Sequence, residues 1–219
     1  ASKITDLYND SNAFFAKKKP SERDPEIIRK VKAYIRKGEA IAGARLVGLP
    51  DSNIHFQDLP FYDRQKFSKD VSFEDDIQQT MELMRQVKPH QVFAAGDFHD
   101  PHGTHKVCFD IILEALTRLR ATEEWAKDCW LWLYRGAWYE FPIHEIEMAV
   151  PLSPQEVKRK RLAIFKHQSQ KDLPVFPGDD PREFWVRAED RTTYTAGLYH
   201  QLGLADYEAI EAFVRWKFD

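Results

Sequence analysis

Residues 96–105 read GDFHDPHGTH and hold three of the chain's eight histidines together with two aspartates. Imidazoles and carboxylates are the side chains that bind divalent metals and move protons near neutral pH. The run follows an apolar segment, QVFAA, and leads into HKVCFDIILEALTRLR (105–120), whose apolar residues recur with a helical period. With Asp100 as N-cap and Pro101 in the first helical position, His102 and His105 fall three residues apart in the first turn and share one face. Gly103 between them removes a side chain and lets a ligand approach. Free backbone N–H groups at such a helix start favour an anion or a developing oxyanion. One histidine could hold a metal while the other donates to the oxyanion. Catalytic zinc, however, takes three protein ligands plus water, and H-x-x-H supplies two at most. Aspartate and histidine are also common in strand-to-helix loops, so the residues alone leave a site and an ordinary loop both open.

Stepping outward, residues 1–23 form an arm or short helix that KKKP and SERDP separate from an α/β domain over 24–219. Asp24 and Pro25 open a helix through Ile27, Ile28, Val31, Tyr34 and Ile35. It continues over the small residues Ala42, Gly43 and Ala44 and stops at Gly48 and Pro50. NIHFQDLP (53–60) reads as a short buried strand, FEDDIQQTMELMRQVKP (73–89) as a helix with acidic residues in its first turn, and QVFAAGD (91–97) as a strand. The aromatic CWLWLYRGAWYEF (129–141) and IHEIEMAVPLS (143–153) predict two more strands. Ser153-Pro154 caps a helix over 156–170, DLPVFPGDDP (172–181) is a loop, and Arg182 to Phe218 reads as mostly helical with a break at Gly203. Alternating helices and strands imply layered α/β architecture with a mainly parallel sheet. Ligands in such sheets bind beyond the carboxyl ends of the strands, where GDFHDPHGTH sits.

Composition narrows the class. A net charge of −3 gives no electrostatic case for nucleic acid or an anionic membrane, and no apolar run approaches the roughly 20 residues of a membrane helix. Cys108 and Cys129 match no zinc or redox spacing and read as reduced, buried thiols of a cytoplasmic protein. Trp130, Trp132 and Trp138 beside Arg135 form either a sugar-stacking platform or sheet core and subunit interface. Arg135-Gly136 is a candidate contact for a phosphate or sugar hydroxyl. Asp58 lines the same crevice or caps a turn, Lys158 to Arg161 form a solvated basic helix face, and Asp179 and Asp180 belong to a helix start.

DPHGTH followed by an apolar helix resembles the second signature, H-x-x-H, of the LmbE/PIG-L-like family of zinc-dependent N-deacetylases. IRKGEAIAGARLVGL (35–49) resembles that family's R-x-x-E-x-x-x-A helix, with Arg36, Glu39 and Gly43 where the family usually has Ala. KRKRLAIFKHQSQ (158–170) resembles its late K-x-x-A-x-x-x-H-x-S-Q element. DPHGTH, YRGAWYEF, IEMAVPLSPQE and KHQSQ are further similar to the C-terminal portion of bacterial two-domain proteins that begin with a glucosamine-6-phosphate deaminase-like half. The resemblance implies a Rossmann-like three-layer sandwich. It makes His105 a ligand for zinc or another divalent metal and His102 the stabiliser of a tetrahedral intermediate. It places His167 near the pocket without fixing its role, gives Arg36 and Glu39 positioning or structural work, and leaves His99 incidental.

The family's first signature, His-Pro-Asp-Asp, is not in this sequence. It supplies two metal ligands and the general base. Its place in the family order lies upstream, with the first strand, so the chain is expected to be the incomplete C-terminal part of a longer polypeptide. That absent segment becomes an expected partner that would cover unpaired strand edges. The implied activity is removal of the acetyl group from an N-acetyl amino sugar by a metal-activated water, whose pKa falls to about 7 on zinc. The chain alone is expected to be inactive, its site lacking the metal, and a homo-oligomer is allowed. The substrate would be an amino sugar or a sugar phosphate. A non-catalytic sugar-binding or regulatory domain attached to the deaminase half is the other reading.

Overall fold

The computed structural model describes residues 2–19, 22–64, 73–98, 103–136, 139–170 and 182–218. His99, Asp100, Pro101, His102, Trp138, Asp179 and Asp180 lie outside them. Four strands form one sheet in the order β1-β2-β4-β3: β1 is Gln91–Ala95, β2 Trp130–Tyr134, β3 Met148–Leu152 and β4 Ala209–Trp216. The expected mainly parallel sheet is not what forms. Only β1 and β2 run parallel, from Gln91 opposite Trp130 to Ala95 opposite Tyr134, while β4 is antiparallel to both β2 and β3.

The helices cover both faces. Leu131 and Leu133 alternate with Trp132 along β2, and their partners Trp216 and Val214 on β4 share their face. On that face they join Phe109, Ile111, Ala115, Leu116 and Leu119 of α5 (Thr104–Thr122), with Ile77, Met81 and Met84 of α4 (Glu74–Val87) behind them. Apolar positions at helical spacing thus bury one stripe of each helix, which is why these two segments were legible from sequence. On the opposite face, α7 (Pro154–Ile164) and α8 (Phe184–Gln201) pack against β3 and β4. Lys160 pairs with Glu211 of β4, and Arg161 grips Glu189 of α8 through two bonds of 2.7 and 2.5 Å. The basic run 158–161 is therefore partly a set of ties between elements rather than a solvated face. α2 (Glu26–Leu46) lies outside α7, and α1 (Ser2–Lys17) precedes it as a helix. On the β1 side of this second face, Phe93 and Trp130 are each 46% exposed.

Several expected boundaries move. Residues 53–60 are not a strand: Asp51–Asn53 is a single 3-10 turn, and irregular chain with Asp58 at φ 48° leads to α3 (Phe61–Arg64). A strand needs a ladder partner for its N–H and C=O groups, and the described residues offer this segment none. The aromatic run 129–141 is a strand only over 130–134, and 143–153 only over 148–152, where Pro151 sits on the edge strand β3. The C-terminal stretch is helical to Gln201 and then becomes β4, an interior strand. α2 begins at Glu26 after Pro25, and Asp24 makes no cap but takes Lys18 and Lys32, at 2.5 and 2.6 Å. Ser153, by contrast, forms a full capping box with Glu156 at the start of α7. No helix among the described residues is long and apolar enough to cross a membrane.

Candidate functional site

The loop after β1 begins with a tight contact. Gly96 N–H donates to the Tyr134 carbonyl at 2.7 Å, and a Cβ added at Gly96 would stand 2.8 Å from Leu133 Cβ. The next residue, Asp97, is 1% exposed, and neither of its carboxylate oxygens accepts a hydrogen bond from the described residues. Phe98 then packs on Phe109 of α5, with ring centroids 4.9 Å apart.

His105 stands in the first turn of α5, half-buried, its ring Nδ1 shielded from solvent. The helix does not begin at Pro101 as expected. Its N-cap is Gly103, held at φ 66° in the left-handed region where glycine is favoured, so the first helical residue is Thr104. His105 is therefore the second helical residue of α5, while His102 lies outside the described residues. Among the described residues, no group of three His, Cys, Asp or Glu side chains converges as a metal site.

Two other expected motifs meet, though away from α5. Glu39 of α2 accepts the Ser169 backbone N–H and its hydroxyl, each at 2.7 Å, across 130 residues of sequence. Gly43, one turn further along α2, faces the His167 ring, and a Cβ there would lie 3.4 Å from Nε2. Gly43 and His167, with Val47, Leu152, Ala163 and Ile164, line an open groove of about 480 Å³ between α2 and α7. Arg36 is exposed on α2. The R-x-x-E helix and the H-x-S-Q turn are thus one structural unit, with α2 packed on α7 while α5 packs on α4, α6 (Glu124–Lys127) and β1.

Arg135 belongs to a second set, at the carboxyl ends of β1 and β2. Its guanidinium donates to the Glu140 carbonyl at 2.9 Å and lies 4.1 Å from the Phe141 ring centroid, while its Nε is buried without a hydrogen-bond partner among the described residues. Arg191, reaching from α8, donates to the Gly136 carbonyl at 2.7 Å. Burial brings the Arg191 pKa down to about 10, against the opposing charges of Asp97 and Glu140. Burial also raises the Glu140 carboxyl above the ordinary range, partly offset by its bond from Phe141 N–H and the charges of Arg191 and Arg135. Asp97, Glu140 and Arg191 were not singled out from sequence. The only signal was an acidic residue directly after an apolar strand.

The remaining candidates have ordinary work. Trp132 is buried in the sheet, and half-exposed Trp130 carries the Arg215 guanidinium 4.9 Å from its ring centroid. Asp58 accepts from Lys37 at 2.5 Å. Cys108 is half-buried and Cys129 buried, both as free thiols, and burial raises both pKa values, the reverse of what an activated nucleophile needs.

No known protein-family profile matches the chain. It is 47% identical over 215 residues to a Bacteroides thetaiotaomicron protein named as glucosamine-6-phosphate deaminase-like. That alignment covers 97% of this chain but spans only 32% of the relative's length. Among solved structures, the chain is similar to the 4-carboxy-2-hydroxymuconate hydratase GalB of Pseudomonas putida KT2440, with a TM-score of 0.57 and 15% identity. The match covers 92% of this chain and 77% of that one. At such identity the likeness shows a common α/β fold alone.

Proposed function

We propose that this chain is one part of a metal-dependent hydrolase of the LmbE/PIG-L type that removes the acetyl group from an N-acetyl amino sugar. The observation that carries the reading is the pairing of Glu39 with Ser169 and of Gly43 with His167. Two stretches that each resemble the same family in sequence pack together, as elements of one fold should. His105 supports it further: it stands in the first turn of α5, the helix that follows β1 in the chain, and α/β sheets bind ligands beyond the carboxyl ends of their strands. The name of the 47% identical relative is consistent with amino-sugar chemistry.

The described residues do not by themselves fit a zinc site. His105 is one donor where hydrolytic zinc takes three, so further ligands and the general base would come from elsewhere in the full-length protein. A segment of that protein outside this chain would pair with the edge of β1 that no described strand occupies and cover Phe93 and Trp130. In the reaction, water oxygen bonds to the acetyl carbon, the carbon–nitrogen bond breaks, and the amine leaves with a proton. The products are acetate and the free amino sugar.

Two measurements test this. The full-length protein should bind one divalent metal per chain and release acetate from N-acetylglucosamine, and His105→Ala should lose most of both. Equal metal content in wild type and His105→Ala by elemental analysis would refute the ligand role. Ammonia from glucosamine 6-phosphate without acetate from the N-acetyl sugar would favour deamination, and sugar binding without either product would favour a non-catalytic domain.

A further inference from the structure

The cluster at the carboxyl ends of β1 and β2 combines groups that a folded protein seldom leaves in this state. Asp97 is almost fully buried, yet both carboxylate oxygens lack hydrogen-bond donors among the described residues. A buried carboxylate without partners is costly, because water solvation has been removed and nothing replaces it. Arg191 lies within electrostatic reach of Asp97 without a direct ion pair between them, and spends one N–H on Gly136. Arg135 contributes a buried Nε without a partner among the described residues. One turn along α8 from Arg191, the buried Thr195 hydroxyl is likewise unmet among the described residues. Gly96, just before Asp97, bonds to Tyr134, just before Arg135, and Arg191 bonds to Gly136, just after it, so the unmet carboxylate and both arginines belong to one end of the β1–β2 pair. Buried polar groups left unmet in this way call for a partner, be it water, an ion or a ligand.

The charges select the ligand class. A cation would suit Asp97 and Glu140 but meets the guanidiniums of Arg135, Arg187 and Arg191, which are near enough to interact with one another. A phosphate would suit the guanidiniums but would be forced against Asp97. A neutral hydroxyl satisfies both, since it donates to a carboxylate and accepts from a guanidinium at once. We propose that Asp97, Arg135 and Arg191 form a recognition site for a neutral, hydroxyl-rich ligand, a sugar ring, with Asp97 accepting from ring hydroxyls and the two arginines donating to their oxygens. Half-buried Arg135, Glu140 and Arg191 form the rim, and Asp97 is the most deeply buried member. The site deepens the amino-sugar reading by saying how the ring is held, and it needs no metal.

The test is calorimetric titration of the EDTA-treated full-length protein with N-acetylglucosamine, with cationic glucosamine and with inorganic phosphate. N-acetylglucosamine should bind more tightly than either, and Asp97→Asn and Arg191→Gln should each weaken it at least tenfold. Asp97→Asn should retain or raise the thermal midpoint, because it replaces a buried carboxyl whose oxygens accept no hydrogen bond from the described residues. Loss of affinity with unchanged stability separates a ligand-binding group from a structural one. Unchanged sugar affinity in Asp97→Asn, tighter binding of phosphate than of sugar, or no sugar binding by the wild type would each overturn the inference. Asp97-dependent sugar binding without acetate release would refute the hydrolase reading and leave this site standing. Acetate release with unchanged KM in Asp97→Asn would do the reverse.

Discussion

Gly96→Ala is the most direct probe of how the strand ends are assembled. The new Cβ would stand 2.8 Å from Leu133 Cβ, where carbon atoms at their optimum are about 3.5–4.0 Å apart. Leu133 Cβ is fixed to the β2 backbone, so no rotamer change relieves the contact. The strands must move apart by several tenths of an ångström, against a ladder that ends in the 2.7 Å bond from Gly96 N–H to the Tyr134 carbonyl. Overpacking of this kind costs about 1–3 kcal/mol. In urea the midpoint should fall with an unchanged slope, and the thermal midpoint should fall by about 2–4 °C per kcal/mol for a chain of this size. Gly38→Ala is the control. It lies inside α2 with nothing within 4 Å of an added Cβ, so it should stabilise by about 0.5–1 kcal/mol through helix propensity. A Gly96→Ala protein as stable as wild type would show that β1 and β2 do not approach as described, and the placement of Asp97 would fall with them.

Three further outcomes follow from the geometry. Glu39→Ala removes both bonds to Ser169 and should speed amide exchange at Ser169 while costing about 1 kcal/mol at this partly exposed position; unchanged exchange there would argue against the tie between α2 and the H-x-S-Q turn. The Asp24 carboxyl is held below its usual 3.8 by Lys18 and Lys32, so its contribution is present above that pH and disappears as pH falls through the lower folded value. Asp24→Asn should accordingly melt below wild type at pH 7, with the gap closing under acid conditions, and an equal gap at pH 7 and pH 3 would contradict the pairing. Glu140 has the opposite sign: burial raises its pKa above 4.5, so the native state is penalised increasingly as pH rises past that value. Glu140→Gln should gain stability at pH 7 and lose that gain near pH 4.5, as read by thermal midpoints at the two pH values.

What the sequence determined by itself is what local chemistry decides. The helical period of 105–120, the acidic first turn of 73–89 and the Ser153-Pro154-x-Glu156 box each specify their element without outside help, and α5, α4 and α7 form there. QVFAA became β1 for the same reason. Order along the chain also placed GDFHDPHGTH between a strand and a helix. Tertiary structure decided the rest. AIEAFVRW follows a long helix and was read as more of it, yet it becomes β4 because β2 and β3 each supply a ladder for its backbone. NIHFQDLP has comparable apolar content but forms no strand: it turns at left-handed Asp58, and no described strand lies beside it to supply a ladder. The site divides likewise. His105 was visible as a residue type in a suggestive loop, but the left-handed Gly103 at which α5 starts is a backbone choice the pattern did not reveal. Arg135 stands out in sequence as a candidate sugar or phosphate contact, but Asp97 and Arg191, its neighbours in space, are 94 positions apart and carry no shared motif. Only the pairing of β1 with β2, and the packing of α8 on the neighbouring β4, bring them within electrostatic reach of one another.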